Sequence, residues 1–125
     1  MDLNMKVLIV DDFTTMRKLI RNILKQIGFA NMIEAENGKA ALKVLKKENI
    51  DLVLCDWNMP EMPGIDLLKA VRSDDELKDI PFVMVTAEAQ KDNIVEAVKA
   101  GVTNYVVKPF TAETLIEKLN AIFKG

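Results

Sequence analysis

Histidine is absent from this 125-residue chain, and cysteine occurs once, at Cys55. Without an imidazole the chain can carry neither a phosphohistidine nor a histidine general base. A lone cysteine cannot close an internal disulfide, which fits a reducing compartment, and Cys55 follows the apolar Leu54 as a small core side chain would. Long hydrophobic runs are missing too. The longest apolar stretches are four or five residues, far short of the ~20 that cross a bilayer. The amino-terminal MDLNMKVLIVDD has too little apolar length for a signal peptide and runs straight into acids. Nor is there an excess of one charge: 17 basic residues face 19 acidic ones, for a net charge of −2. With no basic stripe, a nucleic-acid footprint is unsupported. The expectation is a cytoplasmic monomer that binds neither nucleic acid nor membrane.

What is present is an ordinary folded composition, 50% hydrophobic and 29% charged, in a length that suits one domain over residues 1–125. Short apolar runs rich in Val and Ile recur as VLIV (7–10), MIEA (32–35), DLVLC (51–55), PFVMV (81–85) and NYVV (104–107). Four of them are apolar on successive residues, as strands buried on both faces of a parallel sheet are. Amphipathic segments lie between. Met16, Leu19, Ile20, Ile23, Leu24 and Ile27 form a one-face helical stripe, with Gly28 as its stop. Asn37-Gly38 opens a second helix through Lys47, with Ala41, Leu42, Val44 and Leu45 inward. Ile65, Leu68 and Val71 mark a third. Ile94, Val95 and Val98 mark a fourth, stopped by Gly101. Leu115, Ile116, Leu119, Ile122 and Phe123 mark a fifth, with Thr111 as its N-cap and Glu113 in its first turn. Five β-α units imply an α/β fold, a doubly wound parallel sheet with right-handed crossovers.

In open sheets of this kind ligands bind beyond the carboxyl ends of the strands, where the strand order reverses; in the flavodoxin-like order 2-1-3-4-5, strands 1 and 3 are neighbours there. The first strand exits into Asp11 and Asp12, and the third into Asp56, just past the apolar run. Adjacent strands lie roughly 4.8 Å apart, so the three carboxylates should converge. Two charges about 5 Å apart at an effective dielectric near 20 repel by roughly 3 kcal/mol. Protonating one acid, pairing with a base or holding a cation would offset this. A hard divalent cation with oxygen ligands fits, and one or two carboxylates with water and phosphate oxygens is the usual Mg²⁺ arrangement. The fifth strand exits into Lys108 and the fourth into Thr86. Three acids, an ammonium and a hydroxyl suit phosphoryl chemistry, with Asp56 as the nucleophile that forms an acyl phosphate.

Each member also has a bland reading. Asp12 before Thr14 and Thr15 could cap a turn or helix. Thr86 could be one more β-branched strand residue, Lys108 a solvated charge, and Lys108-Pro109 a simple turn. What argues for a site is the combination, suitable residues at four strand ends.

The motifs VDD (10–12), LCDWNMP (54–60), VTA (85–87) and KPF (108–110) together resemble the receiver domains of two-component response regulators, over the whole length of the chain. DDFTTMRKLIRNIL, VMVTAEA and YVVKPFTAETLIEKL are similar to the chemotaxis branch of that family. The order 2-1-3-4-5 is itself one described for a chemotaxis regulator, so it comes with the resemblance. The resemblance implies a single receiver domain, flavodoxin-like, with no output domain. It makes Asp56 the phosphoryl acceptor and assigns Mg²⁺ to the Asp12 and Asp56 side chains and the Asn58 backbone carbonyl, with Asp11 acting through water. Lys108 would pair with the phosphoryl group, and Lys108-Pro109 would be cis. Thr86 and Tyr105 would be a switch pair, and Asn58 and Glu88 would tune the acyl-phosphate lifetime. Trp57 is expected to pack on neighbouring aliphatics and to report metal and phosphoryl binding by fluorescence. One departure is plain: receivers commonly read MP-x-MDG, whereas Pro63 stands before Gly64 here, which suits the first turn of the third helix and stiffens that loop.

The lack of histidine excludes an internal phosphohistidine relay, so the resemblance implies a separate histidine kinase as donor, with small acyl phosphates as substitutes. A phosphoryl group adds about −1.5 to −2 charge. Thr86 would donate to it and Tyr105 would turn inward, reshaping the face made by the fourth helix, fifth strand and fifth helix, with Tyr105 and Lys118 as contacts. The expected partner is a flagellar motor switch protein, with room for an assisting phosphatase; a phosphate shuttle or sink in another pathway is the alternative. The protein would act only on its own aspartyl phosphate and is not expected to be an enzyme. Three rivals fit less well. A haloacid-dehalogenase-like Mg²⁺ phosphohydrolase needs D-x-D after the first strand, where Asp11-Asp12-Phe13 stands. A flavin carrier needs a hydroxyl- and glycine-rich phosphate loop there, where two acids repel phosphate. A degenerate receiver has no physical reason to keep a repulsive cluster.

Overall fold

The apolar runs form β1 (Lys6–Val10), β2 (Asn31–Ala35), β3 (Leu52–Asp56), β4 (Phe82–Thr86) and β5 (Asn104–Val107). They alternate with helices α1 (Thr14–Ile27), α2 (Gly38–Lys47), α3 (Gly64–Ser73), α4 (Lys91–Lys99) and α5 (Ala112–Ile122). The structure is a computed structural model in which residues 1–87 and 91–123 are described. All four strand pairings are parallel, in the order β2-β1-β3-β4-β5, the doubly wound sheet expected. Among the described residues no helix is long and apolar enough to cross a membrane.

Period-two alternation sorts the strand side chains into two cores. Leu8, Val10, Val53, Cys55, Phe82 and Met84 pack with Ala41, Leu45, Leu68, Val71 and Ala97 of α2, α3 and α4. Val7, Ile9, Leu52, Leu54, Val83, Val85 and Val106 pack with Ile20, Leu24, Leu115 and Leu119 of α1 and α5. The central strands β1, β3 and β4 are buried on both faces, which is why they read as unbroken apolar runs. The edge strands β2 and β5 are only partly buried.

Helix ends follow local chemistry. The Asn37 side chain accepts the Ala40 amide at 2.8 Å to start α2, and Thr111 caps α5 by accepting the Thr114 amide at 3.2 Å. Gly28 closes α1 at φ 122°, a backbone conformation open to glycine. Three details depart from expectation. Asp56 is the last residue of β3 rather than the residue past it, because its amide sector still pairs with β4 opposite Val85. Leu19 is 48% exposed, as are Val95 (42%) and Val98 (62%). In α4 the side turned to the sheet is that of Ile94 and Ala97, three residues apart, and the small Ala97 is the one buried there. Val95 and Val98, one residue further on in each case and so turned about 100° round the helix, are exposed.

Candidate functional site

Parallel register brings the acids together. Val10 pairs with Cys55, so the residues that follow them, Asp11 and Asp56, sit side by side at the carboxyl edge of the sheet. One carboxylate oxygen each from Asp11, Asp12 and Asp56 lies within 4.8 Å of the other two. Asp11 is wholly buried and Asp56 nearly so. Lys108, in the loop after β5, donates from Nζ to Asp56 Oδ1 at 2.9 Å and to Asp11 Oδ2 at 3.3 Å. The Lys108-Pro109 bond is cis.

The three acids are not equivalent. Asp11 is satisfied at every polar atom: its amide donates to the Ala35 carbonyl, Oδ1 accepts the Phe13 amide at 2.9 Å, Oδ2 accepts Lys108, and its carbonyl accepts Arg17 Nη1 at 2.6 Å. Asp12 Oδ1 is buried with no hydrogen-bond partner. It does not cap α1, whose N-cap position is Phe13 with no side-chain cap. A buried, partnerless carboxylate oxygen is costly, by more than the roughly 1–3 kcal/mol of a neutral group, and it is the open position a cation would fill. Hard oxygen donors, one of them orphaned beside two further carboxylates, fit a divalent ion.

Charge crowding shows in the titration of the site. Burial, with help from Asp11 and Asp12, pushes the Asp56 carboxyl above its ordinary value despite the Lys108 hydrogen bond. Burial alone would lower the Lys108 ammonium, but its contacts with Asp56 and Asp11 outweigh that and raise it. The Cys55 thiol is driven up by burial and then by the two aspartates. Cys55 is buried and free, donating weakly to the Asp56 carbonyl at 3.3 Å, so it serves as core.

Thr86 ends β4 and lines a cavity of about 10 Å³ with Trp57, Met84, Asn93, Ile94, Ala97 and Tyr105. Tyr105 is half-buried, and Lys118 Nζ sits 4.8 Å from its ring centroid, a cation–π arrangement. Trp57 packs against the α2-α3-α4 core as expected. Asn58 is exposed in the loop after β3. Glu88 lies outside the described residues. Pro63 stands at the N-cap of α3, one residue before the first turn it was expected to occupy, because Gly64 is the first helical residue.

Two residues that sequence reasoning passed over matter here. A Cβ on Gly64 would run into the Asp56 carbonyl and come within 2.9 Å of Met84 Sδ, so this glycine lets α3 begin against the strand end. Its place after Met-Pro was the available signal. Arg17, with its hydrogen bond to the Asp11 carbonyl, was indistinguishable in sequence from Lys18 and Arg21.

A family model for the response regulator receiver domain matches residues 7–120. The chain belongs to this family. Among its relatives, chemotaxis protein CheY-3 of Vibrio cholerae is 58% identical over 121 residues, which cover 97% of this chain and 93% of that one. Chemotaxis protein CheY of Pseudomonas aeruginosa is 58% identical over 120 residues, covering 96% and 97%. The solved structure of chemotaxis protein CheY4 of Vibrio cholerae superposes with a TM-score of 0.89 at 34% identity, covering 96% of this receiver and 99% of that chain. A receiver protein structure from Pseudomonas putida, at 24% identity and a TM-score of 0.84, shares the fold. The acids at the strand ends therefore belong to a receiver.

Proposed function

We propose that this receiver is a chemotaxis response regulator that takes a phosphoryl group onto Asp56 from a histidine kinase and, so modified, binds a flagellar motor switch protein. The observation that carries the reading is the convergence of Asp11, Asp12 and Asp56 within 4.8 Å beside Lys108, with Asp12 Oδ1 buried and unpartnered. Relatives at 58% identity carry chemotaxis names. The reading places the protein in the cytoplasm as a monomeric, single receiver domain, open to an assisting phosphatase.

Asp12 and Asp56, with the Asn58 carbonyl, would hold Mg²⁺, and Asp11 would act on it through water. When bound, the cation supplies positive charge for the phosphoryl oxygens. The chain's own residues do the rest. An ionised Asp56 oxygen bonds to phosphorus as the P–N bond of the donor phosphohistidine breaks, and a proton from solvent ends on the leaving imidazole. Lys108, released from part of its pairing with Asp56, follows the charge onto the transferred group. The raised Asp56 carboxyl makes the unmetallated site a poor nucleophile at low pH. The product stays on the protein, which acts on its own aspartyl phosphate and is a signalling protein more than an enzyme. Asn58 and Glu88 tune water access to it.

Thr86 and Tyr105 couple that product to output. Both line one cavity, and at about 10 Å³ it holds at most one water. A phenol ring cannot enter without Thr86 moving toward the phosphoryl group or α4 shifting at Ile94 and Ala97. The outward face of α4, with Val95 and Val98, continues through Val107 and Tyr105 to Lys118. It is the face a partner would read.

The test is intact mass after incubation with acetyl phosphate and Mg²⁺. A phosphoryl adduct mapping to Asp56, absent in Asp56→Asn and strongly reduced in EDTA, is expected. An adduct that persists in Asp56→Asn would overturn the assignment.

A further inference from the structure

Three acids crowd the rim, and a base on α1 reaches back to the peptide that joins two of them. A helical side chain points back toward the amino terminus, so Arg17 covers the turn before it. There each guanidinium nitrogen meets a different acceptor. Nη1 donates to the Asp11 carbonyl at 2.6 Å, Nε to Glu34 Oε1 at 3.1 Å, and Nη2 to Thr14 Oγ1 at 3.2 Å. Arg17 is largely buried, its side chain 13% exposed, and all its nitrogens are engaged, so its rotamer is locked. Glu34, on the edge strand β2, is held in turn by Arg21 Nη1 at 3.1 Å on its other oxygen.

The Asp11 carbonyl belongs to the peptide that joins Asp11 to Asp12. Pinning it fixes the plane from which Asp12 departs. No hydrogen bond aims Asp12 Oδ1, so the aim of that carboxylate comes from its backbone. α1 itself gains nothing electrostatically from the arrangement: its first turn contains no acid, and a cation near a helix amino terminus opposes the dipole.

We propose that Arg17 is a positioning residue for the divalent site: clamped by Glu34 and Thr14, it holds the Asp11–Asp12 peptide so that the Asp12 carboxylate is presented to the cation. This rests on the acidic rim being the metal site. Arg17 touches neither cation nor phosphoryl group. Its loss weakens metal binding while leaving the loaded site competent.

The experiment is a Mg²⁺ titration followed by Trp57 emission and by calorimetry, without any phosphodonor, at a temperature where each variant is folded by circular dichroism. Removing a partner that orients a metal ligand typically costs about 10–100-fold in affinity, so Arg17→Ala is expected to raise the Mg²⁺ dissociation constant at least ~10-fold. The initial rate of phosphorylation by acetyl phosphate at saturating Mg²⁺ is expected to stay within about threefold, the split that separates positioning from chemistry. Arg21→Ala removes the same charge from the same Glu34 but makes no contact with the Asp11 carbonyl, and it is expected to bind as the wild type does. Arg17→Lys keeps charge but can satisfy fewer acceptors at once; it is expected to fall between, and it carries the test if the alanine variant does not fold. Wild-type affinity in Arg17→Ala or Arg17→Lys, or an equal loss in Arg21→Ala, overturns the inference. Absence of Mg²⁺ binding by the wild type overturns the functional reading instead.

Discussion

Asp12→Ala is expected to make the metal-free protein more stable and the metal-loaded protein less responsive. Asp12 repels two neighbouring carboxylates, each with an oxygen within 4.8 Å. At an effective dielectric near 20, each pair at that separation costs roughly 3 kcal/mol, so about 6 kcal/mol is the scale of the repulsion that the substitution relieves. Lost attraction to Lys108 reduces that, as does solvent screening, because Asp12 is only partly buried. Against these stands relief of the orphaned oxygen. A net gain of ~1–2 kcal/mol remains, equivalent to about 3–8 °C in Tm for a domain of this length. The assay is urea denaturation and thermal melting, each in EDTA and in Mg²⁺. In EDTA the variant should be the more stable protein. Mg²⁺ should stabilise the wild type in proportion to its occupancy and the variant far less, so the order of the two narrows or inverts. A variant destabilised by about 1 kcal/mol or more in EDTA would refute the claim that Asp12 is held under electrostatic strain.

Three further outcomes follow from the same geometry. Gly64→Ala should lose about 1–3 kcal/mol of stability by overpacking and slow phosphorylation by acetyl phosphate, since the added methyl displaces the Asp56 carbonyl; unchanged rates would show that α3 can retreat freely. Arg72→Met should cost ~2–3 kcal/mol in denaturant melts, because Arg72 donates to the carbonyls of Lys78, Ile80 and Gly101 and to Thr103, tying α3 to the loop after α4. In the metal-free protein Asp56 binds its proton more tightly folded than unfolded. Its ionisation therefore costs stability, a penalty absent below the ordinary value of 3.8 and complete only above the higher folded value. Lys108 is also raised, so its contribution is whole below 10.5 and is lost as pH climbs through the folded value. Stability–pH curves of Asp56→Asn and Lys108→Met against wild type read both, and curves parallel to wild type in the acid and alkaline windows would contradict them.

Much of this was legible in the chain. Strands buried on both faces cannot alternate, so β1, β3 and β4 announced a parallel sheet as unbroken apolar runs, and Asn37, Gly28 and Thr111 marked their helix ends by capping chemistry that acts over a few residues. That Asp11, Asp12, Asp56, Thr86 and Lys108 stand at strand ends followed from the same pattern, since a strand end is a local event. The fourth helix was misread at Val95 and Val98 because hydrophobicity was taken as burial. Periodicity gives the spacing of a face but not which face meets the sheet, and close approach favoured Ala97.

Sequence alone, then, determined the order and type of the elements and which chemical groups stand at the rim, because those depend on neighbours along the chain. Only the tertiary structure decided that Asp11 is saturated while Asp12 keeps a bare oxygen, that Arg17 rather than Lys18 or Arg21 grips the Asp11 carbonyl, and that Thr86 and Tyr105 share one small cavity. Each of these involves groups from separate elements: Lys108 reaches Asp11, Glu34 clamps Arg17, and Tyr105 stands beside Thr86. The distances between such groups are set by how two cores pack on opposite faces of one sheet.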